Sequence, residues 1–354
     1  MGELVDVCSG RDYKHLSEGD IPVYGTGGYM LSVSEALSYD KDAIGIGRKG
    51  TIDKPYILNA PFWTVDTLFY AIPKEKVDLN FAFDIFQNIN WKKKDESTGV
   101  PSLSRTAINE IHILVPQYDE QQVLGQLFYG IDRLIALHQR KLDKMKELKK
   151  AFLNLIFSQK LRFYGFTDSW ELRKLEEVAP LRGGYAFQSN QYANEGIPIV
   201  RISNILSDGS VGGEFVFHNE LKDDEIFMLE NGDIVLAMSG ATTGKVSILS
   251  SEKSCKYYQN QRVGLFSKTA TCNYSFVATI VRSEKFLEQL RDVLVAGAQP
   301  NVSAKDIDAF DFSVPKDVEE QSQIGNFFRT LDRLITLYQK KIDSSKEMKW
   351  TSII

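Results

Sequence analysis

The sequence has little of the chemistry that marks metal, disulfide or membrane proteins. Its 354 residues include only three cysteines, and these are Cys8, Cys255 and Cys272. They stand far apart with no CxxC pair, so we expect reduced thiols in a cytoplasmic protein, with neither a zinc site nor a disulfide framework. No apolar run approaches the ~18–20 residues that span a bilayer, and no signal peptide opens the chain. We therefore expect no bound metal and no membrane association.

No catalytic motif is evident either. The sequence lacks the Asn/Asp-Pro-Pro-aromatic motif of amino methylation and a GxG loop in a cofactor-binding βα unit. Residues 240–245 look like a phosphate-binding loop, but only three residues separate Gly240 from Gly244, and Val246 stands where serine or threonine is required. The four histidines are dispersed along the chain: His15, His112, His138 and His218. We expect no catalytic residue and no cofactor.

What the sequence does contain is one stretch that occurs twice. Residues 115–154 and 314–354 share the order Val-Pro, Glu-Gln, Gly and Asp-Arg-Leu-Ile, with an offset of 200 residues past the opening. The matched pairs include Glu120 and Glu320, Gln121 and Gln321, Gly125 and Gly325, and Asp132 and Asp332. The offset is far larger than the roughly 20–50 residues of a solenoid repeat. It indicates two similar halves, each ending in the same element.

Apolar residues recur in both copies at steps of three and four, which is typical of a heptad seam on a long helix. The residues expected to pack along this seam are Leu124, Phe128, Ile131, Ile135, Leu142, Ile324, Phe328, Leu331, Ile335 and Ile342. Lys149 interrupts the first series, and Asp119 is the expected N-cap residue of the first helix. Because a single long amphipathic helix is not stable alone, the two helices are expected to pack on each other.

The segments before each helix share an order of short strands, glycine-rich turns and one apolar helix. We therefore divide the chain into a domain (1–116), a central long helix (117–160), a second domain (161–315) and a C-terminal long helix (316–354). The expected fold class is α+β. It consists of two similar mixed α/β domains separated by a pair of long antiparallel helices that form a coiled-coil spacer.

This arrangement resembles the specificity (S) subunit of type I restriction–modification systems over essentially the whole chain. The resemblance rests on the two Glu-Gln…Gly…Asp-Arg-Leu-Ile stretches, on residues 170–175 before the second domain, and on the loop 47–51. It implies two target recognition domains that each read one half of a split sequence in double-stranded DNA. It also implies a non-catalytic subunit. Its long helices set the gap between the two DNA half-sites and hold two methyltransferase (M) subunits, and restriction (R) subunits join through the complex.

The sequence departs from the family pattern in two places. Residues 161–175 have no counterpart at the start of the first half. The second helix copy ends at Ile354, whereas the first continues through Leu155, Ile156 and Phe157. In the family, the start of the first half and the end of the second long helix lie close together and complete a pseudo-symmetric ring.

Polar residues on the predicted loops are the candidates for contacting DNA. Arg and Lys suit guanine, Asn and Gln suit adenine, and Ser or Thr hydroxyls suit phosphates. In the first domain the candidates are Arg11, Tyr13, Lys14, Thr26, Arg48, Lys49 and Thr51. In the second they are Arg182, Tyr185, Arg201, Ser203, Asn204, Ser239, Thr242, Thr243, Lys245, Gln259, Asn260, Gln261 and Arg262.

The charge balance is unusual for a nucleic-acid-binding protein. The net charge is −5, although residues 117–163 carry nine Lys or Arg against five Asp or Glu. We therefore expect weak DNA binding by this chain alone, since phosphate contacts supply most non-specific affinity. Two alternatives stay open: a non-enzymatic coiled-coil scaffold that binds protein partners, and a single-chain enzyme with an unrecognised site. Divergent basic and amide-bearing loops argue against the first, and the lack of catalytic motifs argues against the second.

Overall fold

The computed structural model describes residues 1–95, 97–251, 255–296 and 301–351, so Ile354 lies outside the described residues. The chain forms two compact units. Unit 1 comprises Met1–Arg140 with Gln339–Ile354, and unit 2 comprises Lys141–Tyr338. These bounds differ from the four-part division expected from sequence, because each long helix contributes one end to each unit. Within the described part of the chain, no helix combines the length and apolar character needed to cross a membrane.

Unit 1 is built on two small sheets. Its strands are β1 (Val5–Ser9), β2 (Ile21–Gly25), β3 (Gly28–Val33), β4 (Ala43–Gly47), β5 (Tyr56–Leu58), β6 (Trp63–Thr64) and β7 (Leu68–Pro73). One sheet is antiparallel with the order β1-β7-β4-β5, and the other has the order β3-β2-β6 with β2 and β6 parallel. The helices are α1 (Leu79–Asn88), α2 (Arg105–Asn109) and the first part of α3 (Tyr118–Phe157). The main core joins Ile44 and Ile46 of β4 to Phe86 of α1.

Unit 2 has three sheets. Its strands are β8 (Glu171–Lys174), β9 (Leu181–Gly183), β10 (Ile197–Val200), β11 (Val216–His218), β12 (Met228–Leu229), β13 (Ile234–Ala237), β14 (Val246–Ile248), β15 (Tyr257–Gln259), β16 (Val263–Phe266) and β17 (Asp311–Val314). The strand orders are β9-β16-β13-β14, β11-β10-β15-β12 and β17-β8. The remaining helices are α4 (Leu175–Val178), α5 (Tyr274–Ile280), α6 (Glu284–Ala296), α7 (Ala304–Asp308) and the long α8 (Val318–Thr351). The core gathers Leu236, Phe266, Phe276 and Phe286.

The two units share one topology. The sheet β1-β7-β4-β5 corresponds to β9-β16-β13-β14, and β3-β2-β6 corresponds to β11-β10-β15, in which β10 and β15 are again parallel. Unit 2 adds β12 and the pair β8–β17, and unit 1 has no equivalent strands among its described residues. The expectation of two similar mixed α/β domains is thus confirmed.

The predicted seam residues lie on the inner side of the long helices. Six are buried: Phe128, Ile131, Leu142, Ile324, Phe328 and Ile342. The other four are half-buried: Leu124, Ile135, Leu331 and Ile335. Within unit 2, α3 and α8 run antiparallel, since Lys149 contacts Asp332 while the earlier Lys141 lies over the ring of the later Tyr338. The coiled-coil spacer as a whole stays a prediction. The predicted N-cap was wrong, because α3 begins at Tyr118 and includes the next residue, Asp119, in its first turn.

The repeated Gln and Gly residues attach each long helix to its own domain. The side chain of Gln121 donates to the carbonyl of Pro116 and accepts from the amide of Asp78, the N-cap residue of α1. Gln321 makes the equivalent two bonds at the start of α5. A Cβ on Gly125 would lie 2.3 Å from Oδ1 of Asp78, so the close approach of helix and domain requires glycine. The motif recurs because the same attachment is made twice.

Candidate nucleic-acid interface

In unit 1, the ends of three strands meet at residues 64–67, which run from the end of β6 to the start of β7. The amide of Arg11, just after β1, donates to the carbonyl of Thr64 over 2.8 Å. The amide of Arg48, just after β4, donates to the carbonyl of Thr67 over 2.8 Å. The end of β2 is joined to the same segment by a third backbone bond of 3.0 Å. The loops that follow β1, β2 and β4 therefore surround one edge of the domain.

Unit 2 repeats this construction at residues 259–262, which run from the end of β15 to the start of β16. The amide of Tyr185, after β9, donates to the carbonyl of Gln259 over 2.9 Å. The amide of Met238, after β13, donates to the carbonyl of Arg262 over 3.0 Å. The end of β10 is joined by a third bond of 3.1 Å. We call the segments 64–67 and 259–262 the junctions of the two units.

Glycine is required beside each junction. A Cβ on Gly10 would lie 2.0 Å from the carbonyl oxygen of Val65, and a Cβ on Gly184 would lie 2.2 Å from that of Gln259. Real Cβ atoms do not approach backbone oxygens so closely. The two glycines hold the loops after β1 and β9 against the junctions, which fixes where the following side chains stand.

The sequence candidates of unit 1 lie on the loops around its junction. Four are exposed, and these are Arg11, Lys14, Arg48 and Lys49; three are half-buried, and these are Tyr13, Thr26 and Thr51. The guanidinium of Arg48 lies 5.8 Å from the ring centre of Phe69 and donates to the carbonyl of Asp66 over 3.4 Å. The four exposed candidates are all cationic, and the acidic Asp12 and Asp66 are exposed beside them.

Sequence reasoning missed Arg105 and the junction of unit 1. Arg105 is exposed at the start of α2 and donates to the hydroxyl of Ser9, at the end of β1, over 3.3 Å. Burial raises the pKa of Tyr70, and the nearby charges of Arg11 and Arg105 oppose that shift. The junction could have been found by aligning residues 64–67 with 259–262, since each segment directly precedes an equivalent strand.

Eleven candidates of unit 2 remain accessible. Tyr185, Ser203, Gln261 and Arg262 are exposed, whereas Arg182, Arg201, Ser239, Thr242, Thr243, Lys245 and Asn260 are half-buried. Some of them also make internal bonds: Lys245 donates to the Ser207 hydroxyl over 2.8 Å, and Thr242 donates to the Ile202 carbonyl over 3.2 Å. Nε of Arg201 is buried and has no hydrogen-bond partner among the described residues.

Three candidates of unit 2 bond to backbone carbonyls of the domain, and two of them, Asn204 and Gln259, are buried. The amide of Asn204 donates to the carbonyls of Gly212 and Glu214, each over 3.0 Å. The fully buried Gln259 donates to the carbonyls of Arg182 and Val263. The guanidinium of Arg182 in turn donates to the carbonyls of Ile226 and Met228. Buried polar groups require such partners, so we exclude Asn204 and Gln259, but not the half-buried Arg182, from the exposed surface.

The described residues contain no group of three or more His, Cys, Asp or Glu side chains that could hold a metal ion. All three cysteines are free thiols. Burial raises the pKa of Cys272 to about 12, which leaves it protonated and unreactive.

Comparison with known proteins places both units in one family. The family model described as "Type I restriction modification DNA specificity domain" matches residues 1–147 and 167–345. The type I restriction enzyme MjaVIII specificity subunit of Methanocaldococcus jannaschii is 24% identical over 276 residues, which cover 73% of this chain and 64% of that protein. The type I restriction enzyme EcoAI specificity subunit of Escherichia coli is 24% identical over 243 residues, which cover 67% of this chain and 38% of that protein. The chain thus spans less than two thirds of the length of either relative.

The fold also has a solved counterpart. The crystal structure of the type I restriction–modification system S subunit from M. genitalium matches with a TM-score of 0.73 at 14% identity. The match covers 99% of this chain and 92% of that chain. At this level of identity the similarity establishes the fold.

Proposed function

The chain belongs to the family of type I restriction–modification DNA specificity domains, and from that premise we propose that it is the DNA specificity subunit of a type I restriction–modification complex. In this proposal, unit 1 reads one half of a bipartite target in double-stranded DNA and unit 2 reads the other. The chain carries no catalysis of its own, and partner subunits methylate and cleave the DNA.

The observation that carries the proposal is the pair of junctions. Both are held by the same three backbone hydrogen bonds, yet the side chains that reach their surfaces differ completely: Asp66 and Thr67 in one, and Asn260, Gln261 and Arg262 in the other. A constant backbone with variable side chains is what two readers of different sequences need. A scaffold that binds one kind of protein partner has no need of such divergence.

The chemistry around the junctions suits the DNA major groove. In unit 1 the exposed cations Arg11, Arg48 and Arg105 suit guanine and phosphate. In unit 2 the exposed Gln261 suits adenine, and the neighbouring Arg262 suits guanine. In this proposal, these cationic and amide-bearing side chains contact DNA despite the acidic net charge of the chain. Since few cations take part, binding by the isolated chain should be weak.

The long helices supply the remaining part of the proposal. We propose that they set the gap between the half-sites and hold two M subunits, with R subunits joining through the complex. The outer side of α3 exposes large apolar side chains that suit a protein partner. These are Val123, Leu127, Leu134, Leu137 and Leu148.

Methylome sequencing of a host that carries the chain with its M partner tests the proposal. We expect Arg48→Ala to relax the sequence of one half-site and Gln261→Ala to relax the other, because each lost base contact removes about 1–3 kcal/mol of discrimination. The gap should stay unchanged in both variants. Lys41→Ala is the matched control, because Lys41 is exposed but precedes β4, at the opposite end of that strand from Arg48. Unchanged half-sites in both test variants would favour the protein scaffold instead.

A further inference from the structure

The hairpin of β2 and β3 carries two large apolar side chains past the junction of unit 1. β2 reaches the junction at Tyr24, whose carbonyl accepts from the amide of Val65 over 3.0 Å. The chain continues through the turn 26–27, and β3 then returns along β2. Two residues of the returning strand, Tyr29 and Met30, are 63% and 49% exposed. The tip of this hairpin is therefore apolar, whereas the exposed candidates on the other loops of the junction are cations.

A β-bulge in β3 exposes both of these side chains. Val23 of β2 lies opposite Leu31 of β3. The next residue of β2, Tyr24, lies opposite Tyr29, so Met30 has no residue opposite it in β2. Adjacent side chains of a regular strand point to opposite faces of the sheet. The extra residue interrupts that alternation, and both neighbouring side chains reach the surface.

Met30 lies directly against the junction. A Cβ on Gly25 would lie 2.8 Å from Sδ of Met30 and 3.5 Å from Cγ2 of Val65. The thioether of Met30 therefore lies over Gly25 beside Val65, and glycine leaves the room for it. The ring of Tyr29 packs edge-on against that of Tyr24, with 6.4 Å between the ring centres. Both exposed side chains thus stand at the edge that the loops after β1 and β4 also surround.

Hydrogen bonds hold the hairpin in this position. The hydroxyl of Tyr56, in β5, donates to the carbonyl of Gly25 over 2.6 Å, and its ring centre lies 6.1 Å from that of Tyr24. The hydroxyls of Tyr29 and Ser32 are hydrogen-bonded over 3.2 Å. A side chain that is already fixed in place loses less entropy when it binds a partner. The tip is therefore preorganised for a contact.

The chemistry of the tip suits one group in the DNA major groove. The base edges there present hydrogen-bond donors and acceptors, and thymine adds an apolar 5-methyl group. An aromatic ring and a polarizable thioether pack well against a methyl group, whereas they would leave buried donors and acceptors unpaired. Two side chains are also too few for a stable protein interface, which takes about 800 Å² from each partner.

We propose, on the basis of the proposed function, that Tyr29 and Met30 recognise a thymine in the half-site that unit 1 reads, by contact with its 5-methyl group. The cations Arg11 and Arg48 at the same junction suit guanine. The hairpin adds a contact of a different kind, and this half-site should therefore contain at least one A·T base pair.

Uracil substitution tests the proposal, because uracil pairs as thymine does but lacks the methyl group. Methylome sequencing first gives the bipartite target. Each thymine of both half-sites, on either strand, is then replaced by uracil in a separate synthetic duplex. Fluorescence anisotropy measures the affinity of each duplex for the complex of the chain with its M partner. Uracil at one or more positions of one half-site should weaken binding about fourfold, since one methyl group is no longer removed from water.

The double variant Tyr29→Ala with Met30→Ala should bind the thymine and uracil duplexes equally at such a position. Tyr39→Ala is the matched control and should keep the fourfold difference. Tyr39 is 64% exposed, but it follows the bridge between Ser38 and Phe62, at the opposite end of β6 from the junction. Each result is a ratio of two affinities of one protein, so a smaller folded fraction of a variant does not change it.

Three results would overturn the proposal. One is a bipartite target at which no uracil weakens binding, and another is a double variant that removes the uracil effect at no position. The third is a double variant that fails to assemble with the M partner in gel filtration, because the tip would then contact protein. A target without two half-sites would refute the proposed function itself, and the thymine contact with it.

Discussion

Gly125 sets how closely α3 approaches α1. A Cβ at this position would lie 2.3 Å from Oδ1 of Asp78 and 2.8 Å from the amide nitrogen of Phe81. We expect Gly125→Ala to lower the free energy of unfolding by about 1–3 kcal/mol, because the packing must open to admit the methyl group. Gly130, on the same helix, faces open space, so Gly130→Ala should raise that free energy by about 0.5–1 kcal/mol. Urea unfolding measures both, and a stabilised Gly125→Ala protein would contradict the attachment.

Asp84 should make the stability of unit 1 depend on pH. Nζ of Lys349 lies 2.8 Å from its Oδ1, but Oδ2 has no hydrogen-bond partner among the described residues. Burial raises the pKa of Asp84 to about 6, and the ion pair with Lys349 only partly opposes this shift. Because an unfolded aspartate has a pKa of about 3.9, the folded protein binds the proton more tightly. The contribution of Asp84 to stability therefore falls as pH rises from about 4 to about 6.

Asp84→Asn should remove this fall in stability with rising pH. The free energy of unfolding, measured by urea titration at several pH values between 4 and 7, should decline less steeply for the variant than for the parent protein. Identical pH dependence in the two proteins would show that Asp84 titrates normally in the folded state.

At the scale of elements, the aspartate of the repeated motif ties both long helices to the domain. In unit 2, Asp332 of α8 accepts from Lys149 of α3 over 2.5 Å and from Arg282, which follows α5, over 2.9 Å. This explains why a lysine interrupts the apolar seam. In unit 1, Asp132 accepts from Lys349 in the same manner.

A double-mutant cycle on Lys149→Ala and Asp332→Ala should give a coupling energy of about 1–2 kcal/mol, because the pair is three-quarters buried and part of a network. The pair Arg291–Glu284, which is more than half exposed, is the matched control and should give no more than about 0.5 kcal/mol. Chemical denaturation of the four proteins of each cycle measures the difference. Equal coupling in the two cycles would mean that the Lys149 contact contributes nothing beyond a surface pair.

Sequence patterns predicted the elements better than the direction of individual side chains. The long helices followed from apolar periodicity, and the exposed Arg11 and Arg48 followed from loops that glycines mark. Asn204 and Gln259 lie in equally polar segments, yet they turn inward to bond backbone carbonyls, including that of the distant Arg182 in the case of Gln259. These inward hydrogen bonds depend on long-range packing, which the local sequence does not determine. The pair β8–β17 was missed for the same reason, because its strands are more than a hundred residues apart.

At the scale of the whole molecule, the division into units differs from the division along the chain. Each unit contains a domain, the start of the long helix that follows this domain, and the end of the other long helix. The repeat explains this composition. Gln121 and Gln321 attach each helix start to its own domain, while Lys149 and Lys349 attach the opposite helix ends. The part of each long helix between its two attachments can therefore change in length without altering either attachment.

This independence leads to a prediction about the DNA target. Seven residues inserted after Arg140 and seven after Tyr338, where the units divide, keep the heptad register and add about 10.5 Å to each helix. If the helices set the gap, it should lengthen by about three base pairs at 3.4 Å each, with both half-sites unchanged. Methylome sequencing with the M partner measures gap and half-sites together. A single insertion after Arg140 is the control, and it should abolish methylation because the two helices no longer match in length. An unchanged gap in the double insertion would rule out the helices as the ruler.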